Sequence, residues 1–363
     1  MKCLILTVTI GNGHNAVAKC MAEELNSRGY DTKILDIYKG HKFINWELTD
    51  VGFSLGFMFP KTANKIVLKT KRTGKTPFAS WNKTIKNELL AQINEFRPDV
   101  IISTHLAGRL FVREYQKFFT KPVKSVFFVT DFDITPSLNK TFDNDYIIIP
   151  YASFRQELLN NGFQTDKIKS FGIPVAKSFY EPITVKDARS RLEFELDSKK
   201  LTILMTGGMK GSGKLFKTLK KISSEPNFQI IFVSSKNTKL KNKVDKFLAR
   251  KKPQAKIINC GFIKSIDDAM VCSDLVLGKA GGLTCLEAIE REKPLFLYGD
   301  VCYPEYQNTE FLVKRNCAVR VDPKDDLIEK IKKADLVSLK NNIKKLKMDQ
   351  PAKKVADFVE TLV

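Results

Sequence analysis

Short unbroken apolar runs alternate along the chain with stretches whose apolar residues recur every three or four positions, the pattern of buried parallel strands joined by amphipathic helices. Lys2 to Thr9, Thr32 to Tyr38, Val100 to Ser103, Val123 to Val129 and Tyr146 to Ile149 read as one set of strands. Val17, Met21 and Leu25 mark a first helix, with Asn15 placed to cap it and Gly29 to end it. Leu201 to Thr206, Gln229 to Val233, Ala255 to Cys260, Leu275 to Leu277 and Pro294 to Tyr298 read as a second set, reached through an extended connector over Phe171 to Val175. A short helix is expected over Ile266 to Cys272 and another from Thr309, and from Lys324 the chain reads as helical and basic. Ala352 to Val363 is a terminal helix long enough to pack back on the first half. The pattern predicts an α/β protein of two Rossmann-like domains, over residues 1–172 and 173–345, with residues 346–363 returning to the first.

Composition sharpens this outline. At 363 residues the chain is long enough for two cores, and the aromatic share of 10% is that of a globular protein. A net charge of +21 points to an anionic partner, whether nucleic acid, an acidic membrane surface or a phosphate-bearing substrate. Seven scattered cysteines without a Cys-x-x-Cys pair read as reduced, mostly buried thiols of a cytosolic protein. Three unpaired histidines argue against a zinc site. No signal peptide is expected, and no run approaches the roughly 20 apolar residues of a membrane span. Residues 51–87 hold eight Lys and Arg and no acidic residue, interleaved with Phe53, Phe57, Phe59, Phe78 and Trp81. Such a segment suits an anionic membrane interface, could serve nucleic acid, or is a core face backed by solvated lysines.

The candidate chemistry sits at the strand ends. Leu275 to Leu277 stops at Gly278-Lys279-Ala280-Gly281-Gly282 before a helical pattern begins. A glycine turn there lets the backbone approach a phosphate at a helix N-terminus. Glu287, about one turn on, can accept hydrogen bonds from two ribose hydroxyls or is the solvated glutamate of an ordinary turn. Gly11-Asn12-Gly13-His14 follows the first strand; His14 is either a base kept neutral by the helix dipole or a turn histidine with a packing role. Asp131-Phe132-Asp133 and Asp143-Asn144-Asp145 admit a metal-nucleotide reading or a simple turn. Gly208 to Lys214 matches Gly-x-x-x-x-Gly-Lys, yet Leu215 takes the place of the magnesium-holding hydroxyl, leaving a glycine loop that touches phosphate without metal. Asp300, Glu305, Gln307 and Asn308 form a polar loop able to grip sugar hydroxyls.

Taken in order, Gly11-Asn12-Gly13-His14, Thr130-Asp131-Phe132, Gly172-Ile173-Pro174-Val175, Gly207-Gly208, Gly261-Phe262, Lys279-Ala280-Gly281-Gly282-Leu283-Thr284 with Glu287, and Glu305 with Asn308 resemble the monogalactosyldiacylglycerol synthase and diacylglycerol glucosyltransferase group of family 28 glycosyltransferases, and more distantly MurG. The resemblance implies a GT-B fold, two Rossmann-like domains facing across a cleft. It implies an inverting transfer, without metal or cofactor, of glucose or galactose from a UDP-sugar to a membrane lipid hydroxyl, that of diacylglycerol or a sterol. Transfer to a polyprenyl-diphosphate lipid and a non-catalytic UDP-sugar sensor are the alternatives. By the same resemblance Gly208, Gly281, Gly282, Leu283 and Thr284 would meet the diphosphate, Glu287 the ribose, Phe262 and Ile263 the uracil, and Glu305 and Asn308 the sugar. His14 would be the general base, and Asp131 would orient the acceptor or the base. The first domain would bind acceptor and membrane, with residues 51–87 on the inner face of the cell membrane, and nucleic acid is not an expected partner. Two positions depart from the group: Thr135 stands where a histidine is usual, and Tyr303-Pro304 where Gly-Gln is usual.

Overall fold

The computed structural model describes residues 1–9, 13–41, 44, 78–134, 145–207, 213–299, 301 and 303–363. It forms two compact units, Met1–Ala176 with Cys302–Pro304 and Met348–Val363, and Lys177–Val301 with Glu305–Lys347.

In the first unit, β1 (Lys2–Thr7), β2 (Asp31–Asp36), β3 (Val100–Ser103), β4 (Lys124–Phe128), β5 (Asp145–Ile148) and β6 (Ile168–Lys169) make a parallel sheet ordered β2-β1-β3-β4-β5-β6. The two-residue β6 falls in a stretch too short to show a strand pattern. In the second, β7 (Leu201–Thr206), β8 (Phe228–Val233), β9 (Lys256–Asn259), β10 (Leu275–Gly278), β11 (Leu295–Tyr298) and β12 (Ala318–Val321) are parallel in the order β12-β11-β10-β7-β8-β9. Every residue of β8 is buried, as expected where helices cover both faces of a parallel sheet.

The order has a functional consequence. In each sheet the chain runs outward from a central strand, then returns to that strand's other side, so a crevice opens where the direction reverses. In the first sheet the reversal lies between β1 and β3, and in the second between β7 and β10. The helix start carrying His14 and the Gly278 to Gly282 run follow β1 and β10, one bordering each crevice.

Local chemistry explains several motif residues. Gly172 adopts φ +88°, and a Cβ there would lie 2.6 Å from Met348 Sδ, so only glycine lets the chain pass beneath the segment leading into the last helix. That helix, Pro351–Glu360, packs on the helix Gly13–Ser27, where Arg28 donates to Asp357 at 2.7 Å and Glu360 at 2.8 Å. Leu215, at the magnesium position of the would-be phosphate loop, is fully buried in the core, so the chain has no hydroxyl there to hold a metal. Asp145 is likewise no metal ligand. It is fully buried in β5 and accepts from Arg109 Nε at 2.9 Å, the guanidinium lying between the Phe127 and Phe163 rings.

Of the basic, aromatic segment, residues 51–77 lie outside the described residues. Phe78 and Trp81 belong to the helix Phe78–Phe96 and, partly buried, pack against the first unit's core. Lys83 is exposed on the opposite face of that helix. No helix among the described residues is long and apolar enough to cross a membrane.

The buried ion pair yields a stability prediction. Arg109→Leu leaves the Asp145 carboxylate uncompensated and should cost about 3–5 kcal/mol, while the double variant Arg109→Leu/Asp145→Asn should recover part of that loss. Urea unfolding of the three proteins checks it. A double variant less stable than the single one would show that the pair is not the source of the cost.

Candidate active site

Three strand ends of the first unit meet at one imidazole. Gly13 opens the helix after β1, and His14 follows it, partly buried. Its Nδ1 lies 2.6 Å from the carbonyl oxygen of Thr104, just past β3, and 3.3 Å from the Thr130 hydroxyl, just past β4. A carbonyl can only accept, so Nδ1 carries the proton and Nε2 keeps the lone pair. Burial lowers the pKa of His14 below the usual histidine value, against the opposing pull of the Thr104 carbonyl. The ring is therefore neutral near pH 7, with one nitrogen prepared to take a proton. Asn15 is not the cap of this helix. It lies inside it and turns back to β1, accepting from Thr7 Oγ1 at 2.8 Å and donating to Thr9 Oγ1 at 2.8 Å, which fastens the turn to the strand it leaves. Asp131 lies half-buried in the turn after β4, next to Thr130, and Phe132 is buried against Tyr151. Tyr303, one of the two departures from the group, donates to Asp133; Thr135 lies outside the described residues.

In the second unit, β10 ends at Gly278, where a Cβ would fall 2.0 Å from the Thr206 carbonyl oxygen of β7. Glycine is thus compulsory for the two strands to end side by side. The helix Gly282–Glu290 follows with Gly281 as its N-cap and no capping side chain. The Gly281 amide is taken by Lys279 O at 3.0 Å, while those of Gly282, Leu283 and Thr284 fall in the first turn, where no helical carbonyl can reach them. Gly281 itself has φ −66°, and an added Cβ would meet nothing nearer than Thr284 Oγ1 at 3.9 Å. The fold itself therefore does not require glycine at this position.

Glu287 sits on the same helix, partly buried. Burial, and then the nearby Asp267 carboxylate, push its carboxyl up to about 8. Asp267 is held by Arg291, whose Nη2 lies 2.8 Å from its Oδ2. A protonated Glu287 both donates and accepts, a match for a vicinal diol. Glu305 is buried and paired with Lys279 at 3.0 Å, and it lies on the helix Glu305–Val313, which starts four residues earlier than the sequence pattern indicated. Asn308 is fully buried and donates to Ala280 O at 2.9 Å. Both side chains brace the glycine turn. Phe262 is 61% exposed beside Gly261, an open aromatic face, with Ile263 next to it half-buried. Gly208 lies outside the described residues.

The structure thus gathers His14 with Thr104 and Thr130 in one unit, and the Gly281 to Thr284 turn with Glu305 and Asn308 in the other. Thr104 escaped the sequence reading because its backbone carbonyl does the work, and carbonyls leave no residue signature. Thr130 was visible only as part of a motif.

Comparison with known proteins identifies the class first. MurG of Acinetobacter baumannii superimposes with a TM-score of 0.61 at 13% identity, covering 99% of both chains. A spinosyn rhamnosyltransferase superimposes with a TM-score of 0.65 at 11% identity, over 98% of this chain and 99% of its own. The UDP-GlcNAc 2-epimerase of Neisseria meningitidis does so with a TM-score of 0.57 at 14% identity, over 100% of this chain and 99% of its own. These likenesses establish the α/β two-domain GT-B fold. Residues 14–175 match the family model of monogalactosyldiacylglycerol (MGDG) synthase, and residues 202–362 that of the glycosyltransferase family 28 C-terminal domain. The processive diacylglycerol beta-glucosyltransferase of Bacillus licheniformis is 28% identical over 98% of this chain and 94% of its own. MGDG synthase 1 of Arabidopsis thaliana is 25% identical over 87% of this chain and 61% of its own. The chain is a hexosyltransferase similar to the family 28 glycosyltransferases, and it resembles the MGDG synthase and processive diacylglycerol glucosyltransferase group.

Two predictions arise from this geometry. Gly281→Ala should fold with a stability loss of no more than about 1 kcal/mol, yet bind UDP at least about tenfold more weakly; calorimetric titration and thermal melting separate the two, and unchanged affinity would remove the phosphate role. Glu287 binds its proton more tightly folded than unfolded, since its carboxyl is raised from 4.5 to about 8. Its contribution is therefore full at acid pH and is lost as pH rises through that window. In the absence of ligand, Glu287→Gln should accordingly gain melting temperature relative to the parent as pH rises, and parallel pH profiles would refute the shift.

Proposed function

We propose that this protein moves glucose or galactose from a UDP-sugar to the hydroxyl of diacylglycerol, in one inverting displacement that needs no metal, on an anionic membrane surface. The observation that carries the reading is the His14 imidazole, whose proton is fixed on Nδ1 by the Thr104 carbonyl so that Nε2 is the basic atom. The Bacillus relative's name supplies the acceptor and the stereochemistry: a UDP-glucose is α-linked, and a beta-glucosyl product is its inversion. The Arabidopsis relative, a monogalactosyl synthase, keeps galactose in the donor set.

In the proposed reaction Nε2 of His14 withdraws the proton of the glycerol hydroxyl as its oxygen attacks the anomeric carbon. The bond to the UDP oxygen breaks on the opposite face, and the diphosphate leaves with its added charge facing the amides of Gly282, Leu283 and Thr284 and the positive end of their helix. The imidazolium formed at His14 strengthens its Nδ1–H bond to Thr104, because a charge-assisted hydrogen bond is roughly twice as strong as a neutral one. That gain exists only once the proton has moved, so it favours the transition state over the bound substrates. Glu287 holds the ribose, the Phe262 and Ile263 segment the uracil, and Glu305 and Asn308 shape the sugar pocket. Asp131 orients the acceptor. The net charge of +21 draws the enzyme to an anionic leaflet, with each lysine near such a surface worth about 1 kcal/mol.

The test offers radiolabelled UDP-glucose and UDP-galactose with anionic liposomes containing diacylglycerol, a sterol or a polyprenyl diphosphate. Labelled glycosyldiacylglycerol is expected, undiminished by EDTA. His14→Ala should bind UDP normally and lose at least about 10²-fold in kcat. Product on another lipid alone would replace the acceptor, and full activity of His14→Ala would dismiss it as the base.

A further inference from the structure

Two rings back the candidate base. His105 lies perpendicular to His14, with ring centroids 4.7 Å apart and planes at 87°, and Phe78 backs His105 at 5.0 Å and 85°. His105 directly follows Thr104, so two consecutive residues past the end of β3 hold the His14 imidazole, Thr104 by its carbonyl, which accepts from Nδ1–H, and His105 by its ring. His105 is itself immobilised. It is the N-cap of the helix Leu106–Tyr115, its Nδ1 accepting from the Ala107 amide at 3.1 Å, and it is 9% exposed. That bond puts its own proton on Nε2.

Capping does not account for the ring. Serine, threonine, asparagine and aspartate cap helices well, and a buried imidazole adds a desolvation cost that they avoid. What the ring adds is a wall. An imidazole tied at one nitrogen can still swing about that bond, and a displacement of the order of 1 Å at a reacting atom can cost about 10²-fold in rate.

We propose that His105 is a positioning residue for the transfer, the wall that keeps His14 in the orientation that joins its Nδ1–H to Thr104 and presents its Nε2 to the acceptor hydroxyl. The inference rests on His14 acting as the base. Burial, followed by repulsion from any charge on His14, holds His105 well below the usual histidine range, so it stays neutral while His14 takes the proton.

Two substitutions separate the cap from the wall. His105→Asn keeps an acceptor for the Ala107 amide and deletes the ring; His105→Phe keeps a ring and deletes the acceptor. Positioning requires the Asn variant to lose about 10- to 100-fold in kcat with the KM for UDP-sugar unchanged and melting near the parent. The Phe variant should melt lower but retain the greater kcat of the two. The reverse order, with full kcat in the Asn variant or losses that track melting temperature, overturns the proposal. Phe78→Leu removes the support behind His105 and leaves both histidines and the cap in place, so it decides the matter should a His105 variant fail to fold: a lower kcat at unchanged donor KM is expected, and parental kcat counts against the wall. His14→Ala run alongside distinguishes the two levels, since activity there defeats the base reading, whereas an inactive His14→Ala with a fully active His105→Asn defeats this inference alone.

Discussion

A parallel sheet whose chain leaves its central strand in one direction and returns to the other side must leave one gap between neighbouring strand ends that no connection crosses. Both sheets of this protein meet that constraint, and both place their candidate chemistry beside the gap. Between β1 and β3 the gap is narrow enough for a side chain of one turn to reach a backbone carbonyl of the other, which is how His14 finds Thr104 across ninety positions of sequence. Between β7 and β10, Gly278 has no room for a Cβ against the Thr206 carbonyl. The reversal of direction thus brings together residues that no local pattern connects, and the sites inherit the rigidity of the strands that carry them.

Electrostatics then divides the work. Burial disfavours charge on both candidate groups, and the sign of the effect differs with the chemistry of each. For His14 it removes a proton, leaving a base. For Glu287, with Asp267 close by, it keeps a proton on, leaving a carboxyl that can donate as well as accept. A fully solvated imidazole would be partly protonated near neutral pH, and a fully solvated glutamate would be an anion on the helix proposed to receive a diphosphate. Partial burial removes both conflicts without any additional side chain.

How much of this was legible follows from the range over which each feature is encoded. The strands of both units show in their apolar runs, and Gly281 and Glu287 show in a turn followed by a helical pattern, because these are local signals. Features set by distant partners were misread or invisible. Asn15 has the identity of a cap but spends its side chain on Thr7 and Thr9. Asp145 sits in a turn-like cluster of acidic residues, yet it is fully buried against Arg109. Phe78 and Trp81 lie near lysines in sequence yet pack on the core, because the helical period puts Lys83, two positions past Trp81, on the far side of the helix. The two-residue β6 has too few positions to declare a period at all.

The fold alone does not choose a reaction, for a UDP-GlcNAc epimerase shares it with the transferases. The proposed donor residues of this chain are also connected to one another. Lys279 and Ala280 belong to the turn that would meet the diphosphate, and Glu305 and Asn308, which would meet the sugar, hold that same turn through the Lys279 ammonium and the Ala280 carbonyl. A diphosphate drawn to the helix N-terminus must compete with Glu305 for the field of Lys279. Whatever Glu305 gives up in that competition becomes available to a sugar hydroxyl. On this wiring the leaving group and the sugar are not recognised independently, and a nucleotide without its sugar would leave Glu305 buried beside a lysine whose charge is already shared. In the proposed site the glycine turn would thus be the joint through which the presence of one half of the donor is felt by the residues proposed to grip the other.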